Sequence, residues 1–172
     1  TWWTTTDRLV AVAAGEGALI ERPVANCEAG PSPPMMWSDL TCPNLIDSAR
    51  NGIPVQLISM PMAGATAPVT IAGAVVQHAA ECMSGLAICQ LAAQGAPIVW
   101  GGSPAVFDMR EGTTPMGAVG TWMINASYNE VGKALGLPTH AYLGMSDAKV
   151  VDAQCGIESA GSSLVAALAG AN

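Results

Sequence analysis

The segment Asn51-Gly52-Ile53-Pro54-Val55-Gln56-Leu57-Ile58-Ser59-Met60 decides the fold of this chain. A glycine that stops a helix is followed by a proline and then by a nearly continuous apolar run, which is typical of a parallel strand buried on both faces. The same order returns at Gln94-Gly95-Ala96-Pro97 and at Leu135-Gly136-Leu137-Pro138. A proline at the first residue of a strand removes no ladder hydrogen bond. The segment therefore predicts a repeated helix-to-strand unit.

Working outward, the pattern predicts strands at 23–28, 53–60, 96–102 and 137–144. Helical patterns cover 39–50, 66–93, 116–135 and 153–168, and an earlier helix is expected over 7–14. This alternation indicates parallel strands with helices outside, so the fold class is α/β. We predict a (β/α)₈ TIM barrel, of which these four βα units form about half. A small flavodoxin-like open sheet is the competing architecture.

Composition limits the possible function classes. The chain has 172 residues, of which 51% are hydrophobic and 11% charged, below the ~25% charged typical of a soluble domain. We therefore treat 1–172 as one partial barrel domain with much surface buried against neighbours, and we expect a homo-oligomer. Only six Lys and Arg occur and the net charge is −7, so nucleic acid is not an expected partner.

The cysteines and the longest apolar stretch indicate the compartment. Five cysteines without paired spacing indicate reduced thiols in a cytoplasmic protein and no structural metal site. The start of the chain lacks the pattern of a signal peptide. The apolar stretch 67–93 contains Gln77, His78, Glu81 and Gln90, so we predict a buried helix and no membrane span. Within it, His78 is expected to pack rather than react.

Ligands of parallel α/β folds bind at the carboxyl ends of the strands, so a site is expected in the loops there. Glu28 offers a negative charge, and the aromatic faces of Trp37 and Tyr142 would attract a quaternary ammonium group. Anchoring of a loop is the alternative for Trp37. Around Gly64, Thr66 is expected to cap a helix whose N–H groups could bind a carboxylate. Four methionines flank the first two loops and would fill a core or interface, or pack on a flat cofactor: Met35, Met36, Met60 and Met62.

Two pairs of opposite charge follow the third and fourth predicted strands. Asp108 with Arg110, and Asp147 with Lys149, are candidate binding residues, or else solvated ion pairs worth under ~1 kcal/mol each. His140 lies inside the fourth predicted strand and could face the barrel interior as an acid, base or ligand. Trp100 is expected to fill the interior of the barrel. No G-x-S-x-G motif marks a serine nucleophile, and no residue is assigned a catalytic role.

Two longer runs carry a family resemblance. Pro61-Met62-Ala63-Gly64-Ala65-Thr66-Ala67-Pro68-Val69-Thr70-Ile71-Ala72-Gly73-Ala74 and Gly144-Met145-Ser146-Asp147-Ala148-Lys149 resemble the trimethylamine methyltransferase family. The shorter 95–102 and 108–110 add to it, and the likeness covers roughly 22–172. It implies a barrel enzyme that presents a methylated amine to a separate corrinoid protein, with no cofactor bound by the chain itself. The trimethylamine branch uses pyrrolysine, which is absent here, so a relative of the glycine-betaine type acting on a quaternary amine is favoured.

Two other functions stay open beside this one. The same scaffold would serve a non-catalytic protein that binds betaine-like molecules. A barrel lyase that uses Lys149 to form a Schiff base is the second alternative. Members of the family are longer than this chain, which ends where a further strand is expected, so a piece of a longer protein is anticipated.

Overall fold

The computed structural model describes residue 23 and residues 25–171, and the helix expected over 7–14 lies outside them. The strands are β1 (Cys27–Ala29), β2 (Val55–Ser59), β3 (Met62–Ala63), β4 (Ile98–Gly102) and β5 (Ala105–Val106). The helices are α1 (Thr41–Arg50), α2 (Ile71–Ala92), α3 (Val119–Ala134) and α4 (Ala153–Ala169).

A parallel sheet in the order β1-β2-β4 forms the centre of the fold. The prediction of a full strand at 137–144 was wrong. Only one bridge, between Trp100 and Thr139, joins this segment to β4 among the described residues. The Trp100 amide donates to the Pro138 carbonyl at 2.8 Å, and the His140 amide donates to the Trp100 carbonyl at 2.9 Å. This segment has a strand neighbour on one side only among the described residues.

The helices follow one another on one side of the sheet, because α1 contacts α2, α2 contacts α3, and α3 contacts α4. A flavodoxin-like fold places helices on both faces of a sheet whose strand order reverses. Sequential strand order and one layer of helices therefore disfavour that alternative. The α/β class with parallel strands is confirmed, and no barrel closes within the described residues.

The core lies between the sheet and the helices. Successive residues of a strand point to opposite faces, and Val55, Leu57 and Trp100 point toward the helices, where they meet Leu45 and Tyr128. The Trp100 ring is fully buried and its indole N–H donates to the Tyr128 carbonyl at 3.1 Å. Trp100 thus fills the space between sheet and helices, and its predicted place inside a barrel was wrong.

Glycines end the helices as expected, with φ of +68° at Gly52, +85° at Gly95 and +71° at Gly136. The start of α2 differs from the prediction. Thr70 is its N-cap and accepts a hydrogen bond from the Gly73 amide at 3.1 Å, so the predicted cap at Thr66 was wrong. The small parallel pair β3–β5 was not predicted, because two residues are too few to show a period.

Helix α2 is long and apolar enough to cross a membrane by length and composition alone. In this fold it packs against β2 and lies in contact with α1 and α3. Its His78 and Glu81 side chains are buried and hydrogen-bonded to other parts of the chain. These contacts support its interpretation as the central helix of the α/β layer.

Candidate functional site

The face of the sheet that points away from the helices carries the candidate site, and we call it the inner face. Strand alternation places there the residues between those that enter the core. They are Glu28 on β1, Gln56 and Ile58 on β2, Val99 and Gly101 on β4, and His140 in the segment 137–144 that is bridged to β4.

A row of polar side chains crosses the inner face, and we call Asn26, Gln56 and His140 the amide–imidazole row. The Asn26 amide nitrogen donates to Gln56 Oε1, and Gln56 Nε2 lies 2.8 Å from His140 Nδ1. Gln56 reaches across β4 at Gly101, where an added Cβ would lie 3.5 Å from both Gln56 Cγ and His140 Cβ. Sequence reasoning missed Gln56, although a glutamine inside an apolar strand is itself a signal.

Glu28 and Tyr142 lie beside this row, although Glu28 is the middle residue of β1 and not at the strand end where the sequence placed it. The rings of His140 and Tyr142 are 5.1 Å apart and nearly perpendicular. Burial, and after it the negative charge of Glu28, raise the pKa of Tyr142, which keeps the phenol neutral. Glu28 is exposed and forms no ion pair with another residue in the described part of the chain. An unpaired carboxylate next to an aromatic ring suits a cationic ligand.

A pocket of about 440 Å³ opens on the inner face next to Glu28. Ile58 and Met60 line it together with Glu28 and residues 29–33. Met60 follows β2 and is 49% exposed, so it stands at the carboxyl-end rim of the pocket.

Glu81 on α2 stabilises the loop beside the pocket from the helix side of the sheet. Its carboxylate is 1% exposed and accepts hydrogen bonds from the Ser59 hydroxyl at 2.6 Å, the Met35 amide at 2.9 Å and the Gln77 side chain at 3.0 Å. These bonds fix the end of β2 to the loop 30–37, where Met35 has a φ of +58°. Sequence reasoning treated Glu81 only as an interruption of an apolar stretch and missed this role.

Trp37, Gly64 and Thr66 lie elsewhere. The Trp37 indole N–H donates to Ser84 Oγ at 2.9 Å, and the ring packs on the helix side of the sheet, so Trp37 anchors its loop on α2. Thr66 Oγ1 accepts from the Met62 amide at 2.9 Å, and Gly64 has a φ of +95°. Both shape the loop after β2, and no described hydrogen bond connects any of the three to Glu28.

Asp108 and Arg110 do not form the ion pair that was the alternative to a binding role. Asp108 Oδ1 instead accepts the backbone amides of Arg110 at 2.8 Å and Glu111 at 3.2 Å, which closes a turn. The Arg110 side chain is exposed and forms no salt bridge with another described residue.

Asp147 likewise binds backbone and not Lys149, which is exposed. Its carboxylate accepts the amides of Met116 at 3.1 Å and Gly117 at 2.6 Å, in the loop before α3. The Asp147 amide in turn donates to Glu158 on α4 at 2.8 Å. The predicted residues Asp108, Arg110, Asp147 and Lys149 therefore lie in two loops with their own hydrogen bonds, separate from the amide–imidazole row.

His78 and Tyr128 hold the end of β4. His78 Nε2 bonds to the Gly101 carbonyl at 2.9 Å, the ring stacks on Tyr128 at 4.3 Å, and burial lowers the pKa of His78 to about 4. The Tyr128 hydroxyl lies 2.7 Å from the Gly102 carbonyl and 2.9 Å from that of His140. The packing role expected of His78 is confirmed, and Tyr128 keeps His140 against the sheet.

Residues 5–172 match the family described as trimethylamine methyltransferase (MTTB). The chain belongs to the trimethylamine methyltransferase family. It is 38% identical over 162 residues to a trimethylamine methyltransferase of Desulfitobacterium hafniense (strain DSM 10664 / DCB-2), covering 94% of this chain and 33% of that protein. It is 39% identical over 152 residues to one of Methanosarcina barkeri, covering 88% and 31%.

A glycine betaine methyltransferase of Desulfitobacterium hafniense (strain Y51) is 29% identical over 158 residues, covering 92% of this chain and 33% of that protein. The chain thus spans about a third of the length of the trimethylamine methyltransferase family relatives that it matches. The family resemblance drawn from 61–74 and 144–149 is confirmed.

Proposed function

We propose that this chain is the amine-binding part of a methyltransferase that moves a methyl group from a methylated, quaternary amine to a corrinoid protein. Membership of the trimethylamine methyltransferase family supports the reaction class. The single observation that carries the binding role is the Glu28 carboxylate, exposed beside Tyr142 on the inner face and without an ion pair among the described residues.

We further propose that the sheet is an arc of a (β/α)₈ barrel. The strands are parallel and sequential, and the helices cover one face, as in barrels of this type. The inner face then points toward the barrel axis, and its carboxyl end is the mouth where such enzymes bind substrates. The relatives are about three times longer than the matched region, which leaves length for the remaining strands.

The charges of the inner face suit a quaternary ammonium group. Such a group has no N–H to donate, so charge and aromatic surface must recognise it. A carboxylate 4 Å from the cation contributes about 1 kcal/mol in water and about 4 kcal/mol at the lower effective dielectric near a protein surface. The bound amine already carries the positive charge that makes its nitrogen a leaving group. The chain's task is therefore to orient one methyl carbon toward the mouth.

The partner protein's corrinoid would supply the nucleophile that accepts the methyl group. The exposed rim beside the pocket fits the approach of a large flat group, because Met35, Met36 and Met60 are 62%, 58% and 49% exposed and uncharged. Cys42, Cys82, Cys89 and Cys155 are free thiols, which supports a reducing, cytoplasmic compartment. A homo-oligomeric assembly remains part of the same proposal.

The experiment measures binding and turnover separately. Calorimetry with glycine betaine and with tetramethylammonium should show that Glu28→Gln weakens binding by roughly 5- to 30-fold, equivalent to about 1–2 kcal/mol. Glu130→Gln is the matched control, because Glu130 is exposed on α3 and, among the described residues, forms an ion pair only with Lys133 at 3.5 Å. The protein together with a corrinoid protein reduced to Co(I) should then give a methylated cobalt spectrum.

The outcomes separate the alternatives. Binding of betaines without any methylated cobalt would select a non-catalytic binding protein. Equal affinities for the wild type and Glu28→Gln would contradict the amine site. The lyase alternative has no structural support, because a Schiff-base lysine is activated by burial or a neighbouring cation, and Lys149 is exposed in its loop.

A further inference from the structure

We propose that Asn26 and Gln56 are positioning residues that fix the His140 imidazole in the tautomer with its hydrogen on Nε2. The ring then presents a hydrogen-bond donor to a ligand on the inner face. The tautomer itself follows from the row alone, and only its use in binding rests on the proposed function.

The order of donors along the row decides the tautomer. The Asn26 amide nitrogen can only donate, so the Gln56 atom that it meets is the acceptor Oε1. The other end of the Gln56 amide is then Nε2, which can only donate, and it lies 2.8 Å from His140 Nδ1. Nδ1 must accept this bond, so a neutral His140 carries its hydrogen on Nε2.

The surroundings leave the row little freedom to rearrange. Gln56 is 5% exposed, so water has little access to replace either of its bonds. The Gln56 and His140 side chains meet over Gly101, where an added Cβ would contact both at 3.5 Å. The His140 backbone is held at both groups, because its amide donates to Trp100 and its carbonyl lies 2.9 Å from the Tyr128 hydroxyl.

The His140 ring borders the part of the site that the proposed function uses. His140 Nε2 forms no hydrogen bond to another residue in the described part of the chain, and it lies on the ring edge opposite Gln56. The His140 ring is in edge contact with Tyr142, and the negative charge of Glu28 acts on the Tyr142 phenol. The inner face thus offers one negative charge and one N–H donor. A ligand with a cationic group and a separate acceptor atom satisfies both, whereas a simple quaternary ammonium ion satisfies only the first.

The test reads the tautomer directly by nitrogen NMR of the chain with ¹⁵N-labelled histidine. The chain has two histidines, so His78 serves as the internal reference. At a pH well above the ordinary imidazole pKa of about 6.5, wild-type His140 should show a protonated Nε2 and an unprotonated Nδ1. Asn26→Asp removes the donor, so the Gln56 amide turns over, offers Oε1 to the ring and moves the hydrogen to Nδ1. Gln56→Glu should reverse the tautomer in the same way.

The control and the overturning results are specific. Gln94→Glu adds the same charge at an exposed turn position and should leave the His140 signals unchanged. A wild-type ring with its hydrogen on Nδ1 would overturn the proposal. So would a folded Asn26→Asp variant that keeps it on Nε2. Asn26 is exposed, so this variant stays informative even if the buried Gln56→Glu fails to fold.

Binding then tests the use of the donor. Asn26→Asp should weaken the binding of glycine betaine by about tenfold, which is the size of one lost hydrogen bond to a charged group. Its affinity for tetramethylammonium should not fall, because the variant adds a negative charge to the inner face and this ligand has no acceptor atom for the imidazole donor. Equal losses for both ligands would refute the donor role. If neither ligand binds the wild type, the proposed function fails while the tautomer result is unaffected.

Discussion

Removing the Glu81 carboxylate should loosen the loop 30–37 and destabilise the fold. Glu81→Ala leaves three donors without their acceptor: the Ser59 hydroxyl, the Met35 amide and the Gln77 side chain. Ser59 is fully buried, so its unsatisfied hydroxyl costs about 1–3 kcal/mol, and the other two, which can reach water, cost about 1 kcal/mol each. The sum is about 3–5 kcal/mol, a large part of the ~5–15 kcal/mol typical of a domain.

Urea unfolding followed by tryptophan fluorescence measures this loss, since the chain has five tryptophans. Glu81→Gln is the matched variant, because one oxygen still serves Met35 and Gln77, and the Ser59 oxygen can accept from the new amide. It should lose only about 1 kcal/mol. Hydrogen exchange of the Met35 amide should accelerate in Glu81→Ala and stay near wild type in Glu81→Gln. An alanine variant within about 0.5 kcal/mol of wild type, with unchanged Met35 exchange, would refute the reasoning.

Further predictions concern the buried His78 and two helix glycines. Burial lowers the pKa of His78 to about 4, whereas an unfolded histidine has a pKa of about 6.5. As the pH falls, the unfolded chain therefore binds a proton before the folded chain does, so the unfolding free energy should drop by up to about 3 kcal/mol between about pH 6.5 and pH 4. In urea unfolding, His78→Gln should remove that part of the pH dependence. An identical pH slope in both proteins would contradict this prediction. Gly132→Ala places a methyl 2.6 Å from the indole of the β4 tryptophan and should lower the unfolding free energy by about 1–3 kcal/mol. Gly156→Ala in α4 meets nothing within 4 Å and should raise it by about 0.5–1 kcal/mol, and the opposite order of midpoints would disprove the packing account.

The repeated glycine and proline spacing predicted the layer of alternating strands and helices well. It worked because a left-handed glycine and a strand-initial proline are local requirements of the backbone, visible in a few residues. The segment after Pro138 shows the limit of such reasoning. Its sequence has the same pattern as β4, yet strand formation depends on a second neighbour, which is a property of the assembled sheet.

The candidate site was only partly predictable for a similar reason. Glu28 and Tyr142 stood out in the sequence because of their chemistry and because strands were predicted to end near them. Gln56 gained its importance from Asn26 and His140, which are 30 and 84 residues away along the chain. Local pattern cannot show that the Gln56 and His140 side chains meet over Gly101. Conversely, the sequence around Asp147 suggested a charged group for a ligand, whereas its carboxylate accepts two backbone amides.

The bonds around Asp147 have a consequence for how this edge of the molecule moves. Glu158 on α4 accepts the amide of Asp147, and Asp147 accepts the amides of Met116 and Gly117. The three segments are thus linked in series through two carboxylates. Any fluctuation that lifts the segment around Asp147 must also release Gly117, so both stretches should become accessible to proteases together, as one cooperative opening.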